Sequence, residues 1–162
     1  PWIVGVLSPN KKNFFKYVGK IAKPLRDLEG YPGVKPPWGT LTAINLNTGK
    51  IVWQTPLGYY ESLKSKGIIT GTENFGGATA TAGGLVFAAG TLDKLIRAFD
   101  SETGRELWSY KLPYIGSAPP TSYEVNGEQY IIIPATGGII LKQNYGDLVE
   151  LGDAFVAFKI QN

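Results

Sequence analysis

Ala43-Ile44-Asn45-Leu46-Asn47-Thr48-Gly49-Lys50-Ile51-Val52-Trp53 returns 55 residues later as Ala98-Phe99-Asp100-Ser101-Glu102-Thr103-Gly104-Arg105-Glu106-Leu107-Trp108. Ala, Thr, Gly and Trp recur in register, and Asn45 is answered by Asp100. A third copy opens at Ala157-Phe158, an offset of 59, close to the last residue of the sequence. Each position has a mechanical task. The small Ala allows close stacking of sheets. The Asn or Asp side chain accepts from backbone N–H groups two or three residues on and closes a turn. Gly49 and Gly104 are expected at positive φ, as the bulge position of a hairpin loop. The Trp is expected to lie flat between successive sheets, its indole N–H seeking a backbone acceptor.

Outward from the repeat, the chain reads as short strands and tight turns. Strand-like runs occupy 41–45, 50–53, 78–82, 84–90, 95–99, 106–110, 121–125, 128–133 and 154–160. Asn126-Gly127, between two such runs, is a strong hairpin signal. A strand pair, a turn and a docking Trp at a spacing of about 40–60 residues is a β-propeller signature. The reading is all-β: about two and a half four-stranded blades. Residues 38–57 supply the last two strands of one, 78–112 a complete blade, and 117–160 three strands of another.

The first 37 residues read differently, as a helical arm or linker. Phe14, Val18, Ile21 and Leu25 step by four, three and four, one face of a helix. Lys12, Lys16, Lys20 and Lys23 step along another. Ser8-Pro9-Asn10 could start the helix and Gly30-Tyr31-Pro32-Gly33 end it. Residues 1–38 carry seven Lys/Arg against Asp27 and Glu29, so the net charge of +3 resides in this arm. A basic amphipathic helix meeting anionic lipid or an acidic partner is one reading. A surface helix with solvated lysines is the other.

Composition narrows the chemistry. The sequence has no Cys, His or Met among its 162 residues. Disulfides, thiolate nucleophiles and Cys-type metal centres are excluded within it, as are Ser–His–Asp and Cys–His catalysis. With no Met and a start at Pro1-Trp2-Ile3-Val4, a piece of a longer polypeptide is expected, one that exposes unpaired sheet edges. Self-association of the isolated piece would cover those edges. Asp93 and Asp100 sit in turns and are expected to be structural. Asp147, Glu150 and Asp153 lack the spacing of an EF-hand and suit a solvated loop. Gly76-Gly77 and Gly83-Gly84 flank a strand rather than open a helix, so they form no phosphate cradle. Basic residues are not interleaved with aromatics, which argues against nucleic acid.

The repeat resembles the tryptophan-docking motif of pyrroloquinoline quinone (PQQ) enzymes, Ala-x-Asp-x-x-Thr-Gly-x-x-x-Trp. Further phrases resemble quinoprotein glucose and related sugar or polyol dehydrogenases. They are Gly30-Tyr31-Pro32-Gly33-Val34-Lys35-Pro36-Pro37-Trp38-Gly39, Gly71-Thr72-Glu73-Asn74-Phe75-Gly76-Gly77 with 81–87, the run 120–130, and Gly152-Asp153-Ala154-Phe155-Val156-Ala157-Phe158. The resemblance spans 30–160.

That resemblance implies the C-terminal part of an eight-bladed propeller whose last blade is completed by an N-terminal strand. It implies PQQ over the central channel with a calcium or magnesium ion, and oxidation of a sugar, polyol or alcohol with electrons passed to a quinone or cytochrome. It implies a periplasmic or membrane-associated protein. The catalytic base and metal ligands would lie outside this sequence. Within it, Asn74, Phe75, Gly76 and Gly77 would face the cofactor, as would Gly137 and Gly138; Ile139 stands where methanol-type relatives have Trp. A non-catalytic propeller serving as an interaction scaffold is the alternative.

Overall fold

A computed structural model describes residues 5–9, 17–21 and 24–159. The chain divides into two compact units, Pro1–Lys35 and Pro36–Asn162.

In the first unit, β1 (Gly5–Pro9) pairs antiparallel with β2 (Tyr17–Ile21), from Gly5 opposite Ile21 to Pro9 opposite Tyr17. This corrects the expected helix. Gly19 would cost a helix interior about 1 kcal/mol, Tyr17, Val18 and Ile21 favour extended backbone, and Pro24 blocks continuation. Phe14, Lys12, Lys16 and Lys23 lie outside the described residues. Beyond them Asp27 Oδ1 accepts the N–H groups of Glu29 and Tyr31, at 3.0 and 2.8 Å, and closes the turn before Pro32.

The second unit holds three antiparallel sheets. The first pairs β3 (Thr40–Asn45) with β4 (Lys50–Pro56). The second is a complete four-stranded blade in the order β5 (Gly77–Ala80), β6 (Leu85–Ala89), β7 (Leu95–Asp100), β8 (Glu106–Lys111). The third runs β11 (Ala154–Lys159), β10 (Glu128–Ala135), β9 (Thr121–Val125). Two, four and three strands are the partial, complete and partial blades read from the sequence. Asn126 and Gly127, at φ 53° and 77°, make the expected tight hairpin. Two short helices were not foreseen, α1 (Glu61–Lys64) and α2 (Ile139–Tyr145). Gly137 and Gly138, both at φ 79°, reverse the chain into α2, which buries Leu141 and Tyr145.

Both repeat copies fold alike. Asn45 Oδ1 accepts from the N–H groups of Asn47 and Thr48 at 2.9 and 3.2 Å. Asp100 Oδ1 accepts from Glu102 and Thr103 N–H at 3.1 and 2.8 Å and from the Thr103 hydroxyl at 2.8 Å. Gly49 and Gly104 stand at φ 67° and 70°. The register slips between Ala43 and Ile44 and again between Ala98 and Phe99, so each turn carries a bulge. Trp53 donates from Nε1 to the Ser101 carbonyl at 3.0 Å, across from the first sheet to the turn of the second.

The main core lies between the second and third sheets. Ala89, Ile96 and Leu112 meet Ile131, Ile133 and Ala135, with Phe87, Val156 and Phe158 at the margin. A smaller cluster joins Leu57, Ala88 and Phe99, with Leu41 and Val86 against it.

Strand alternation sorts the connections. The tight turns 46–49, 81–84, 101–105 and 126–127 fall at one end. The connections 57–76, 90–94, 112–120 and 136–153, three of them long, fall at the other and are joined by hydrogen bonds. Thr72 N donates to Leu57 O at 2.8 Å, Leu92 N to Thr72 Oγ1 at 3.2 Å, Leu112 N to Lys94 O at 2.8 Å and Gly137 N to Ile115 O at 3.0 Å.

Candidate cofactor face

The six residues singled out for the cofactor all lie at this loop-rich end: Asn74, Phe75 and Gly76 on the 57–76 connection with Gly77 opening β5, and Gly137 and Gly138 on the 136–153 connection. Asn74 closes the first loop. Its Oδ1 accepts from Gly76 and Gly77 N–H at 2.8 and 3.3 Å, and its Nδ2 donates to the Ala89 carbonyl. The amide therefore holds the loop in shape. Phe75, between the two anchor points, is 48% exposed.

The glycines permit close approach of backbone to backbone. A Cβ on Gly76 would lie 2.6 Å from the Ala89 oxygen and 3.1 Å from that of Gly116. One on Gly137 would lie 2.0 Å from the Glu150 oxygen, and one on Gly138 3.3 Å from Ser117 Cβ. Gly116-Ser117 thus sits between the two candidate loops and brings them to one neighbourhood. The sequence reading passed over Gly116 and Gly90; at Gly90 a Cβ would meet Gly76 N at 2.5 Å.

Below the first loop lies a buried polar layer. Glu73 is buried, and its Oε2 accepts from the Tyr60 hydroxyl at 2.9 Å. Its Oε1 is buried with no hydrogen-bond partner among the described residues. The Tyr60 ring meets Trp38 edge-on at 5.4 Å. Only local spacing was available to find Glu73, which stands thirteen residues from its partner.

Asp93 and Arg97 form a buried ion pair, with side chains 2% and 4% exposed. Asp93 also accepts from the Thr91 hydroxyl at 2.6 Å, Leu95 N–H at 3.0 Å and Tyr59 N–H at 3.1 Å. It has the structural role expected of it. Beside it opens a cavity of about 460 Å³, bordered by Tyr59, Tyr60, Ser62, Lys94 and Lys111. The Lys94 ammonium bonds to Glu150 Oε2 at 2.6 Å and holds the Glu150 carboxyl below the usual carboxylate range. Lys142 lies 3.4 Å from Asp147.

The residues present suit one edge of a flat organic group: an exposed Phe75 ring, backbone at Gly77 and Gly138, and a buried carboxylate oxygen short of a donor. Among the described residues no three His, Cys, Asp or Glu side chains gather as a cation cage.

Successive antiparallel sheets of two, four and three strands, the first tied to the second by a docked Trp, with long loops at one end, define a sector of a β-propeller. The profile of the PQQ family, "Glucose/ethanol/alcohol dehydrogenase, beta-propeller domain", matches residues 7–131, and the chain belongs to that family. It is 41% identical over 128 residues to the quinate/shikimate dehydrogenase (quinone) of Acinetobacter baylyi, covering 74% of this chain and 16% of that protein. It is 46% identical over 110 residues to the glycerol dehydrogenase large subunit of Gluconobacter oxydans, covering 64% and 15%. Among solved structures it is similar to the quinohemoprotein alcohol dehydrogenase of Comamonas testosteroni, with a TM-score of 0.51 and 27% identity over 67% of this chain and 14% of that one. The chain spans about a sixth of the length of the curated relatives it matches.

Proposed function

We propose that this chain supplies one sector of a PQQ-dependent dehydrogenase that oxidises a sugar, polyol or alcohol and passes the electrons to a quinone or cytochrome. The observation that carries the reading is membership of the PQQ family across 7–131. The relatives named above act, by their names, on quinate or shikimate, glycerol and alcohols.

The chemistry that PQQ supplies in such a site is two-electron oxidation of an alcohol carbon. This chain's part is wall and support. Phe75 offers an apolar face against which a planar ring can lie. Asn74 keeps that loop in its turn, so the ring is presented without a large loss of entropy on binding. Gly137 and Gly138 hold the neighbouring loop close through Gly116-Ser117. Calcium or magnesium would be held by residues outside the described ones, as would the catalytic base. The protein would work in the periplasm.

Titrating the full-length apo-protein with PQQ, with calcium present, and assaying it with an artificial electron acceptor across sugars, polyols and alcohols tests the reading. Saturable PQQ binding and PQQ-dependent oxidation are expected. Turnover that does not depend on PQQ overturns it. Phe75→Ala should weaken PQQ binding about tenfold, the value of a ring stacking contact, with the folded protein otherwise intact.

A further inference from the structure

Two hydroxyls stand between the loops of the candidate cofactor face. Ser117 lies on the 112–120 connection, and Thr136 opens the 136–153 connection. Their side-chain oxygens are 2.5 Å apart, a hydrogen bond in which either can donate. Both residues are half-buried. The backbone fixes them. Ser117 N donates to the Pro134 carbonyl at 3.2 Å, and Gly152 N donates to the Thr136 carbonyl at 3.1 Å. Gly116, which precedes Ser117, is bridged to Ala135, which precedes Thr136. On one side, a Cβ on Gly76 would lie 3.1 Å from the Gly116 oxygen; on the other, one on Gly138 would lie 3.3 Å from Ser117 Cβ. The pair is thus held at the seam of the two candidate loops.

The pair has a proton to spare. Two hydroxyls carry two protons, and the bond between them uses one. Among the described residues neither hydroxyl has another partner. Whichever oxygen accepts therefore keeps a free O–H, and accepting a bond makes it the stronger donor. By contrast, the hydroxyls of Thr91, Tyr60 and Thr72 are spent on Asp93, Glu73 and the Glu73 carbonyl. A half-buried donor with no acceptor in the protein is served by water until a ligand oxygen replaces it. The rim of PQQ is mostly quinone and carboxylate oxygen, which accepts.

We propose that the Ser117–Thr136 hydroxyl pair is a further cofactor-binding element, whose free O–H bonds to an oxygen on the rim of PQQ. The inference rests on the PQQ reading above and adds to it a polar contact between the two glycine loops.

Calorimetric titration of the full-length apo-protein with PQQ tests it. Ser117→Ala with Thr136→Val removes both hydroxyls at little change in volume. The double variant should bind PQQ about tenfold more weakly, the worth of one hydrogen bond to a charged acceptor. Its melting temperature without PQQ should move little, because replacing both partners of a hydrogen bond by apolar groups is nearly neutral. Thr136→Ser keeps a hydroxyl in place and should keep the wild-type affinity. Thr136→Val alone, the fallback if the double variant does not fold, should weaken binding by a smaller factor that Thr136→Ser does not share. Wild-type affinity in the double variant overturns the proposal. So does an equal loss in Thr136→Ser, which would assign the effect to packing of the methyl group. A KM for quinate that rises while PQQ affinity stays would give the hydroxyls to the substrate, and also overturns it. A wild type that binds no PQQ overturns the cofactor reading and this inference with it.

Discussion

The indole of Trp53 lies on Gly104. A Cβ at Gly104 would stand 2.5 Å from the Trp53 ring, and the Trp53 Nε1 donates to the Ser101 carbonyl at 3.0 Å. One residue of the first sheet thereby caps a turn of the second through both stacking and a hydrogen bond. Trp108, at the same place in the next copy, meets no such turn among the described residues. It packs edge-on to Phe158 at 5.2 Å and is 39% exposed beside a cleft of about 330 Å³. Trp53→Ala should therefore destabilise by about 3 kcal/mol, at the low end for a large aromatic because Trp53 is only half-buried. Trp108→Ala should cost clearly less. Chemical denaturation of the two variants side by side measures the difference, and equal losses would refute the asymmetry.

Gly49 and Gly104 separate two effects that usually travel together. Both stand at positive φ, so alanine carries the left-handed penalty of about 1 kcal/mol at each. A Cβ on Gly49 meets nothing within 4 Å, whereas one on Gly104 strikes the Trp53 ring. Gly104→Ala should lower the denaturation midpoint well beyond Gly49→Ala. Adding Trp53→Ala should erase most of the excess, as expected for two residues in contact.

The repeat made the three sheets legible, because Asn45, Gly49, Trp53 and their counterparts act within a few residues of one another. In the described part of the arm, Val18 and Ile21 lie on a strand despite their helical spacing, because Gly19 and Pro24 weigh against a helix there. The loop-rich end was legible only as glycine phrases. Its geometry comes from distant backbone contacts, Gly39 on Thr72 and Gly137 on Glu150, with no periodic signature. The Glu73–Tyr60 bond and the Ser117–Thr136 pair share that difficulty, since contacts at a loop depend on what the rest of the chain brings beside it.

Asp100 gives a pH test of the repeat turn. The Thr103 hydroxyl bond, followed by the Thr103 N–H, holds its carboxyl below the usual carboxylate range. A depressed carboxyl stabilises the fold while ionised, so its contribution is complete at neutral pH and is lost as the pH falls through the folded value. Asp100→Asn keeps an acceptor, as Asn45 does in the other copy, but removes the titration. The variant should lose less stability between neutral and acidic pH than the wild type. Parallel stability–pH curves would show that the turn does not depend on the charge.

The Arg97–Asp93 pair should be among the costliest polar contacts to break. Both side chains are buried, and Arg97 reaches Glu106 through Nε at 3.1 Å and Thr91 through Nη1 at 3.2 Å. Asp93 in turn receives Tyr59 N–H, at the start of the 57–76 connection. Removing the guanidinium leaves a buried carboxylate facing only neutral donors, so Arg97→Met should destabilise by about 3–5 kcal/mol. Arg97→Lys keeps the charge but not the planar fork that serves Asp93 and Glu106 together, and should fall between. The double change Asp93→Asn with Arg97→Met should cost less than the two single changes added, because no charge is left without its partner. Denaturant titration of the four proteins, wild type included, gives the cycle; additive losses would show that the two side chains act independently.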